Sequence, residues 1–279
     1  MALSIQSNMA SLSIQNQLGR TNNDLSTALE RLGSGFRINS AKDDAAGLQI
    51  ANRLNAQVNG QEAAIYNANN ANSMLQTAEG ALDEMTNIAY RMKELSVQGA
   101  NGTNNASEYT AIEAEFDALS AELTNIMDNT SYGSGTTLLN AAGKLGAGAV
   151  TFQIGSSAAE TLAVDVSTEL GAITTAIGAF TGLANQADST ATMTEIDTLI
   201  DNVGAARASM GATMNRLDHT ITNVTNMKEN TQAAASQLMD ADFAEETSNM
   251  TKQQLLMNSG ISVLSTANST SSMIGSLLR

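Results

Sequence analysis

Two adjacent carboxylates are the first side chains with a chemical possibility. Asp43 and Asp44 follow Asn39 and Ser40 in the segment NSAKDDAAG. Paired carboxylates can act as acid and base, but neighbouring positions on a helix do not face each other. Acidic side chains after a Ser or Asn cap are favoured by the helix dipole. We therefore interpret this pair as the beginning of a helix.

Two further segments have the composition of ligand-binding loops without their spacing. Lys144 lies among Gly143, Gly146 and Gly148, but the order differs from G-x-x-x-x-G-K-[ST], and no strand leads directly into a helix there. Asp240 and Asp242 lack the spacing of a calcium-binding loop. The sequence predicts a flexible turn in the first case and a solvated acidic turn in the second.

Nucleophiles and metal ligands are equally scarce. The chain has one histidine, His219, and no cysteine, which excludes a thiol nucleophile, a disulfide framework and a zinc knuckle. A general base needs a nucleophile and an orienting partner, and the sequence identifies neither beside His219; no G-x-S-x-G elbow occurs. We expect no catalytic, cofactor-binding or metal site, and hence no enzyme.

Charge and hydropathy exclude other classes. The 279 residues include 13 basic and 28 acidic side chains, a net charge of −15 that disfavours a nucleic-acid partner. No window approaches the roughly 20 apolar residues of a membrane span, so no membrane partner is expected. Basic residues are absent before Arg20, so a Sec-type signal peptide is not predicted.

Apolar residues recur at steps of three and four along three segments, which predicts long helices. They run over about 44–98, 106–128 and 193–237, and GANGTNNAS separates the first two. Alternating residues predict a β-hairpin over about 150–167, followed by a loop-rich tip at 168–192. The expected fold is mainly α, a long antiparallel helical bundle or coiled coil with a small β-hairpin region in the middle.

The two ends of the chain carry thinner apolar stripes. Two lone helices with such stripes would not bury enough apolar surface to offset the conformational entropy of ordering them. We expect 1–43 and 238–279 to be disordered in the monomer and to fold against copies of the same chain. The predicted assembly seam consists of Leu18, Leu25, Leu32, Met257, Ile261 and Leu264.

Three segments resemble the signatures of bacterial flagellin, the subunit of the flagellar filament. They are ERLGSGFRINSAKDDAAGLQIANRL (30–54), RMKELSVQGANGT (91–103) and the stretch from DADFAEETSNM to the closing LLR (240–279). Gly33 and Phe36 stand where the family has Ser and Leu. The resemblance implies that the terminal segments pair in a coiled-coil core domain and that 44–237 forms a rod domain. Only 168–192 occupies the place of the family's outer variable domains, so a short form lacking them is expected.

The same resemblance implies partners and a location. It implies a homopolymer with itself, secretion through the flagellum's type III export apparatus, and residence in the extracellular filament. Expected partners are the flagellar cap and hook-associated proteins and an export chaperone at the C-terminal segment. It also implies recognition by Toll-like receptor five through Arg91, Leu95 and Glu115, although Tyr90, Met92 and Lys93 depart from the family's usual Gln, Val and Arg.

Alternative functions remain open at this stage. A hook–filament junction protein of the same superfamily shares the terminal helices but occurs in few copies. An enzyme carried on the same scaffold is disfavoured because the insert at 168–192 is short and has no histidine. A membrane-inserting translocator is disfavoured because it needs long apolar helices.

Overall fold

The computed structural model describes residues 7–277 and is mainly helical, with short antiparallel strand pairs, which confirms the predicted fold class. Its helices are α1 (Met9–Ser34), α2 (Ala45–Gly99), α3 (Ala106–Asn129), α4 (Ser167–Gly178), α5 (Gln186–Met239) and α6 (Phe243–Leu277). The strands are β1 (Ser131–Tyr132), β2 (Thr136–Thr137), β3 (Val150–Gln153) and β4 (Thr161–Val164).

Local sequence accounts for several helix ends. α1 ends where Gly35 takes a left-handed conformation with φ 76°, which glycine adopts without a Cβ penalty. α3 begins with a capping box, in which Asn105 accepts from the N–H of Glu108 while the Glu108 carboxylate accepts from the N–H of Asn105. The chain contains no proline, and α2 and α5 run for 55 and 54 residues.

Both strand pairs are antiparallel. Ser131 lies opposite Thr137 in the first pair, and Val150 lies opposite Val164 in the second. The β3–β4 hairpin buries Leu162 and Val164 on one face, as the alternating sequence predicts. The Asn67 side chain anchors the hairpin to α2 by donating to the carbonyl of Gln153 at 3.2 Å.

The expectation of a loop-rich tip at 168–192 is wrong for most of its length. α4 occupies Ser167–Gly178, and α5 already begins at Gln186. Leu170, Ile173 and Ala176 of α4 are buried, and the helix packs on α3. Burial of this apolar stripe overrides the weak helix propensity of its Thr, Ile and Gly residues.

The chain divides into two compact units. Unit 1 comprises 1–56 and 230–279, and unit 2 comprises 57–229, so both divisions lie inside α2 and α5. The sequence placed these divisions at 43/44 and 237/238. They lie further inward because residues of the first turns of α2 and the last turns of α5, such as Ala51 and Ala235, are buried within unit 1.

Unit 2 has a large continuous apolar core. Its fully buried side chains come from α2, α3, α4, α5 and the intervening loops. The largest are Leu75, Leu82, Met85, Met92, Leu95, Phe116, Leu123, Leu138, Leu139, Leu145, Leu170 and Ile173. Phe116 and Phe180 meet edge to face with ring centroids 5.4 Å apart, which fixes the segment after α4 to α3.

Candidate assembly and recognition surfaces

The N- and C-terminal helices of unit 1 pair with each other in antiparallel orientation. Near the start of α1, the Asn8 side chain donates to the carbonyl of Ala267 at 3.1 Å, and Ser11 Oγ donates to Asn268 Oδ1 at 3.0 Å. Near the end of α1, Arg31 Nη1 lies 2.8 Å from Glu246 Oε1. Contacts at both ends fix the direction and the register of the pair.

Five of the six predicted seam residues are half-buried, whereas Ile261 is not. They are Leu18, Leu25, Leu32, Met257 and Leu264. Ile261 is 55% exposed, and Gly260 lies against Leu18 in its place. Steps of three and four from Met257 reach Gly260 and Ile261 respectively, and within the α1–α6 pair it is Gly260 that faces α1. Gly260 carries no Cβ, so the two backbones can approach closely.

The interior of this helix pair also contains buried polar side chains. Ser11 is 7% exposed, Thr21 is 3% exposed and Glu246 is 7% exposed. Arg31 Nε is buried and has no hydrogen-bond partner among the described residues. A buried polar group contributes little net stability, and an unpaired one costs free energy. These polar groups therefore add little to the stabilisation that the half-buried leucine and methionine side chains of the pair supply.

Large apolar side chains of α1 and α6 face outward instead. Those of α1 are Met9, Leu12 and Leu29, and those of α6 are Phe243, Leu255, Leu256, Ile261, Val263 and Met273; all are between 46% and 67% exposed. A groove along α6 is lined by Phe243, Leu255 and Leu256 together with small and hydroxyl side chains. Apolar surface of this extent marks a site of protein association.

Two connectors of unit 1 are joined by backbone hydrogen bonds. The N–H of Ala241 donates to the carbonyl of Gly35 at 2.9 Å, and the N–H of Arg37 donates to the carbonyl of Met239 at 2.6 Å. The Arg37 guanidinium adds a bond to the carbonyl of Leu238 at 2.8 Å. We call this set of contacts the connector clasp. It ties the end of α1 to the end of α5.

Asp43 and Asp44 serve as local acceptors beside this clasp. Asp43 Oδ2 accepts from the N–H of Ser40 at 2.9 Å and from its hydroxyl at 3.0 Å, and these bonds lower the pKa of the Asp43 carboxyl. Asp44 Oδ1 accepts from the N–H groups of Ala46 and Gly47, in the first turn of α2. Both carboxylates thus stabilise a turn and a helix beginning.

A second surface lies on unit 2, where Arg91 of α2 meets Glu115 of α3. Arg91 Nε and Nη2 lie 3.0 and 2.7 Å from Glu115 Oε1, and Nη1 lies 2.9 Å from Glu94 Oε2. The Glu115 carboxylate, as the hydrogen-bond acceptor, raises the pKa of the Arg91 guanidinium. About half of each side chain of the Arg91–Glu115 pair is exposed. This pair forms a rigid, accessible charged feature.

Leu95 lies in the core and not on that surface. Its side chain is 1% exposed, one helical turn from Arg91. Met92 is also fully buried, whereas Tyr90 is 56% exposed. Lys93 turns toward α5, where its ammonium lies 2.6 Å from Asp197 Oδ1 and 2.8 Å from the carbonyl of Met193. Of the three residues expected to contact a receptor, Arg91 and Glu115 alone are accessible.

Arg207 forms the strongest polar link between α2 and α5. Its Nε and Nη2 lie 3.1 and 2.7 Å from Glu79 Oε1, and its Nη1 lies 2.9 Å from Asp83 Oδ1. The Glu79 carboxylate raises the pKa of this guanidinium. In the sequence Arg207 is only an interruption of an apolar stripe, and nothing there identifies Glu79 and Asp83 as its partners.

The part of the chain that the structure describes, residues 7–277, offers neither a metal site nor a membrane span. No group of three or more His, Cys, Asp or Glu side chains in that range could hold a metal ion. None of the helices described there combines the length and the hydropathy that a membrane crossing requires.

Family models match both ends of the chain. The model of the bacterial flagellin N-terminal helical region matches residues 5–144, and that of the bacterial flagellin C-terminal helical region matches residues 193–278.

Relatives in other bacteria extend this match over nearly the whole chain. A flagellin of Listeria innocua is 37% identical over 286 residues, which cover 99% of each chain. Flagellin D of Vibrio cholerae is 33% identical and covers 96% of this chain and 97% of its own.

Solved structures include neighbours of the same kind. The crystal structure of Bacillus cereus flagellin has a TM-score of 0.50 at 31% identity and covers 61% of this chain and 94% of its own. A putative flagellar hook-associated protein from Vibrio parahaemolyticus has a TM-score of 0.56 at 16% identity, covering 71% of this chain and 100% of its own. At that identity the second neighbour supports the fold alone.

Proposed function

The chain belongs to the bacterial flagellin family, and on this premise we propose that it self-assembles into the helical flagellar filament that drives swimming. Flagellins are structural, non-enzymatic proteins, and the homologues form an extracellular filament. The chain of 279 residues fits a form without a variable domain.

The observation that carries this proposal is the outward apolar face of the α1–α6 pair. Its exposed side chains include Leu255 and Ile261, at 65% and 55% exposure. Each such side chain that becomes fully buried between copies contributes up to about 1.5–3 kcal/mol, so association of this face would be favourable. Contacts between different faces of identical subunits generate a helical polymer when the rotation between neighbours does not close a ring.

Seeded polymerisation tests the proposal on the full chain. Purified protein is mixed with short filament fragments in moderate salt, and the product is followed by sedimentation and electron microscopy. We expect the native chain to elongate the seeds and the double variant Leu255→Ser, Ile261→Ser to remain soluble. The matched control, Leu255→Met with Ile261→Leu, keeps the apolar surface and should elongate. Equal elongation by all three proteins would contradict the proposed interface.

The finer steps of assembly follow from the same proposal. We infer that the chain is exported through the type III apparatus, that a chaperone covers its C-terminal segment before export, and that it adds beneath the cap at the growing end. The exposed apolar face of α6 supports the need for a chaperone, because an unprotected face of this kind promotes premature association. Before polymerisation we expect 1–43 and 238–279 to be disordered.

Recognition by Toll-like receptor five is a second part of the proposed function. The accessible Arg91–Glu115 pair supports it, since a fixed guanidinium beside a carboxylate offers directional hydrogen bonds to a polar protein surface. Leu95 is buried one helical turn from Arg91, so any part it has in recognition would be indirect.

A hook–filament junction protein is the other candidate, since a putative flagellar hook-associated protein shares this fold. The full-length identity of 37% to a named flagellin favours the filament subunit. Copy number separates the two functions. A filament subunit dominates the protein sheared from the cell surface, whereas a junction protein is a minor component of it.

A further inference from the structure

The dipeptide Asn-Gly occurs twice in the sequence, in two different structural settings. Asn59–Gly60 lies in the interior of α2, and Asn101–Gly102 lies in the turn between α2 and α3. Asn101 and Gly102 are both exposed. The two sites have the same covalent chemistry, so any difference in their reactivity arises from the fold.

The turn directs the Asn101 side chain along its own backbone. The N–H of Thr103 donates to Asn101 Oδ1 at 3.4 Å, the geometry of an Asx turn. This bond reaches over the intervening peptide and brings the side-chain carbonyl carbon, Cγ, toward the nitrogen of Gly102. Within residues 7–277 the N–H of Gly102 has no hydrogen-bond acceptor. The nitrogen is therefore available, and the electrophilic carbon lies beside it.

From this geometry we propose that Asn101 is a site of spontaneous deamidation and isomerisation. Solvent hydroxide removes the proton of the Gly102 amide, and the nitrogen forms a bond to Asn101 Cγ. The bond from Cγ to the side-chain nitrogen then breaks, and that nitrogen leaves as ammonia after taking a proton from water. The product is a five-membered succinimide, which water opens at one of its two carbonyls to give aspartate or isoaspartate.

The overall change consumes one water molecule and releases one ammonia, and no atom is oxidised or reduced. The oxygen that gains negative charge as the ring closes is Asn101 Oδ1. It is the same atom to which the Thr103 N–H already donates, so the turn supplies a donor for the developing charge. Gly102 has no Cβ to obstruct ring closure.

Asn59 is protected from the same reaction by its helix. Gly60 lies in the α2 interior, where each N–H is bonded to a carbonyl four residues earlier, so its nitrogen is not free to attack. The backbone also packs tightly there, since a Cβ on Gly60 would come within 2.9 Å of Ser156 Cβ. Ring closure at Asn59 would need local unwinding of α2.

Conversion of Asn101 to aspartate would add a negative charge to the turn, and conversion to isoaspartate would also lengthen its backbone. The turn is held by Asn104 Nδ2, which donates to the carbonyl of Gln98 at 2.7 Å, and by Gln186 Nε2, which donates to the carbonyl of Ala100 at 3.1 Å. Isoaspartate inserts an extra carbon into the main chain and disturbs both bonds. If the chain forms the long-lived extracellular polymer of the proposed function, modified subunits would accumulate in it with age.

Peptide mapping of the full-length protein tests the proposal. Native protein and protein in concentrated urea are incubated at mildly alkaline pH for several weeks. Samples taken at intervals are digested with trypsin. Cleavage after Lys and Arg places the two sites on separate peptides, 54–91 and 94–144. Tandem mass spectrometry measures the fraction of aspartate and isoaspartate at each site, and a zero-time sample corrects for conversion during digestion.

In the native protein we expect Asn101 to convert at least about tenfold faster than Asn59. The helix keeps the Gly60 nitrogen hydrogen-bonded, whereas the Gly102 nitrogen in the turn is exposed. In urea the two sites should convert at similar rates. Equal rates in the native protein, or no conversion at Asn101 while the urea sample reacts, would overturn the proposal. The measurement uses soluble protein, so failure to polymerise would leave its outcome unchanged.

Gly102→Ala provides the matched variant. A Cβ at this position would lie 3.5 Å from Gln186 Nε2, an ordinary contact, so the turn can accommodate it. The methyl group hinders ring closure, and conversion at Asn101 should slow by about tenfold while Asn59 is unaffected. Unchanged conversion in this variant would contradict attack by the Gly102 nitrogen.

Discussion

Gly260 of α6 lies so close to Leu18 of α1 that a Cβ atom at Gly260 would come within 2.7 Å of Leu18 Cδ2. The nearest atom is the end of a flexible side chain, so a small addition requires a shift and a larger one requires the helices to separate. The spacing of the terminal pair therefore depends on the absence of a side chain at one position.

Gly260→Val should separate α1 from α6 and weaken the polymer. The larger side chain adds two further carbons against Leu18, and overpacking of this kind costs about 1–3 kcal/mol. We expect filaments of the variant to dissociate at a lower temperature, measured by light scattering during heating. Gly19→Ala in α1 is the matched control, because a Cβ there meets nothing within 4 Å. Equal dissociation temperatures for Gly260→Val and native filaments would show that the contact is unimportant.

Arg207→Ala should destabilise unit 2. The guanidinium bonds to Glu79 and Asp83 and is one-third exposed, so its loss should lower the free energy of unfolding by about 1–2 kcal/mol. Arg207→Lys retains the charge but not the planar set of donors. Its free energy of unfolding should lie between those of the native protein and Arg207→Ala. Urea unfolding followed by circular dichroism measures these differences.

Arg216→Ala is the comparison for Arg207. Arg216 is exposed on the same helix and forms no ion pair within residues 7–277. Its removal should change the free energy of unfolding by no more than about 0.5 kcal/mol. A loss equal to that of Arg207→Ala would mean that the effect comes from net charge and not from the α2–α5 link.

The beginning of α4 should be sensitive to acid through Asp165. Asp165 Oδ1 accepts from the hydroxyl of Ser167 at 2.7 Å and from its N–H at 3.1 Å, and these bonds lower the pKa of the carboxyl below 3.8. A lowered native pKa means that the ionised form stabilises the fold above pH 3.8, and that this contribution disappears as the pH falls through the native pKa.

Asp165→Asn should therefore flatten the loss of stability between neutral pH and the acid range, because the amide does not titrate. Thermal unfolding over a pH series measures this slope. Ser167→Ala removes one of the two donors and should give an intermediate slope. A slope for Asp165→Asn identical to that of the native protein would mean that other carboxylates dominate acid unfolding.

Arg91→Ala should weaken signalling through Toll-like receptor five while leaving polymerisation intact. The ion pair with Glu115 is half-exposed, so its loss should change the stability of unit 2 little. Reporter cells that express the receptor, exposed to monomer over a concentration series, measure the response. Glu94→Ala is the control, since it removes one neighbour of Arg91 and retains the bond to Glu115. An unchanged receptor response to Arg91→Ala would contradict recognition through Arg91.

Apolar spacing was sufficient to predict the long helices and the middle hairpin. The stripes through Leu75, Leu82 and Met85 of α2 and through Val203, Met210 and Leu217 of α5 repeat over many turns, and all six side chains are fully buried. Because the apolar repeat is long, single polar residues within it do not change the prediction of a helix. The β3–β4 hairpin is equally predictable from the sequence, because its alternating pattern exposes Thr161 and Ala163 and buries Leu162 and Val164.

Shorter features depended on contacts that the sequence does not display. α4 is rich in Thr and Ile, and its helix is stabilised by burial against α3. The choice between Gly260 and Ile261 depended on how closely two backbones approach. Arg91 and Glu115 lie 24 positions apart, and their bond exists because α2 and α3 lie side by side. The burial of Leu95 likewise follows from the packing of several elements.

The connector clasp is formed largely by main-chain groups, with Gly35 and Ala241 joined through N–H and carbonyl, as are Arg37 and Met239. Main-chain groups are the same in every residue except proline, so the joint depends on residue type chiefly at Gly35, through its left-handed conformation, and at Arg37, through its guanidinium. Phe36 is 43% exposed, and its backbone forms an antiparallel bridge with Asp240. Substitutions at Phe36 or Ala241 that keep the backbone conformation would therefore leave the joint in place, although they would abolish a contact made by side chains.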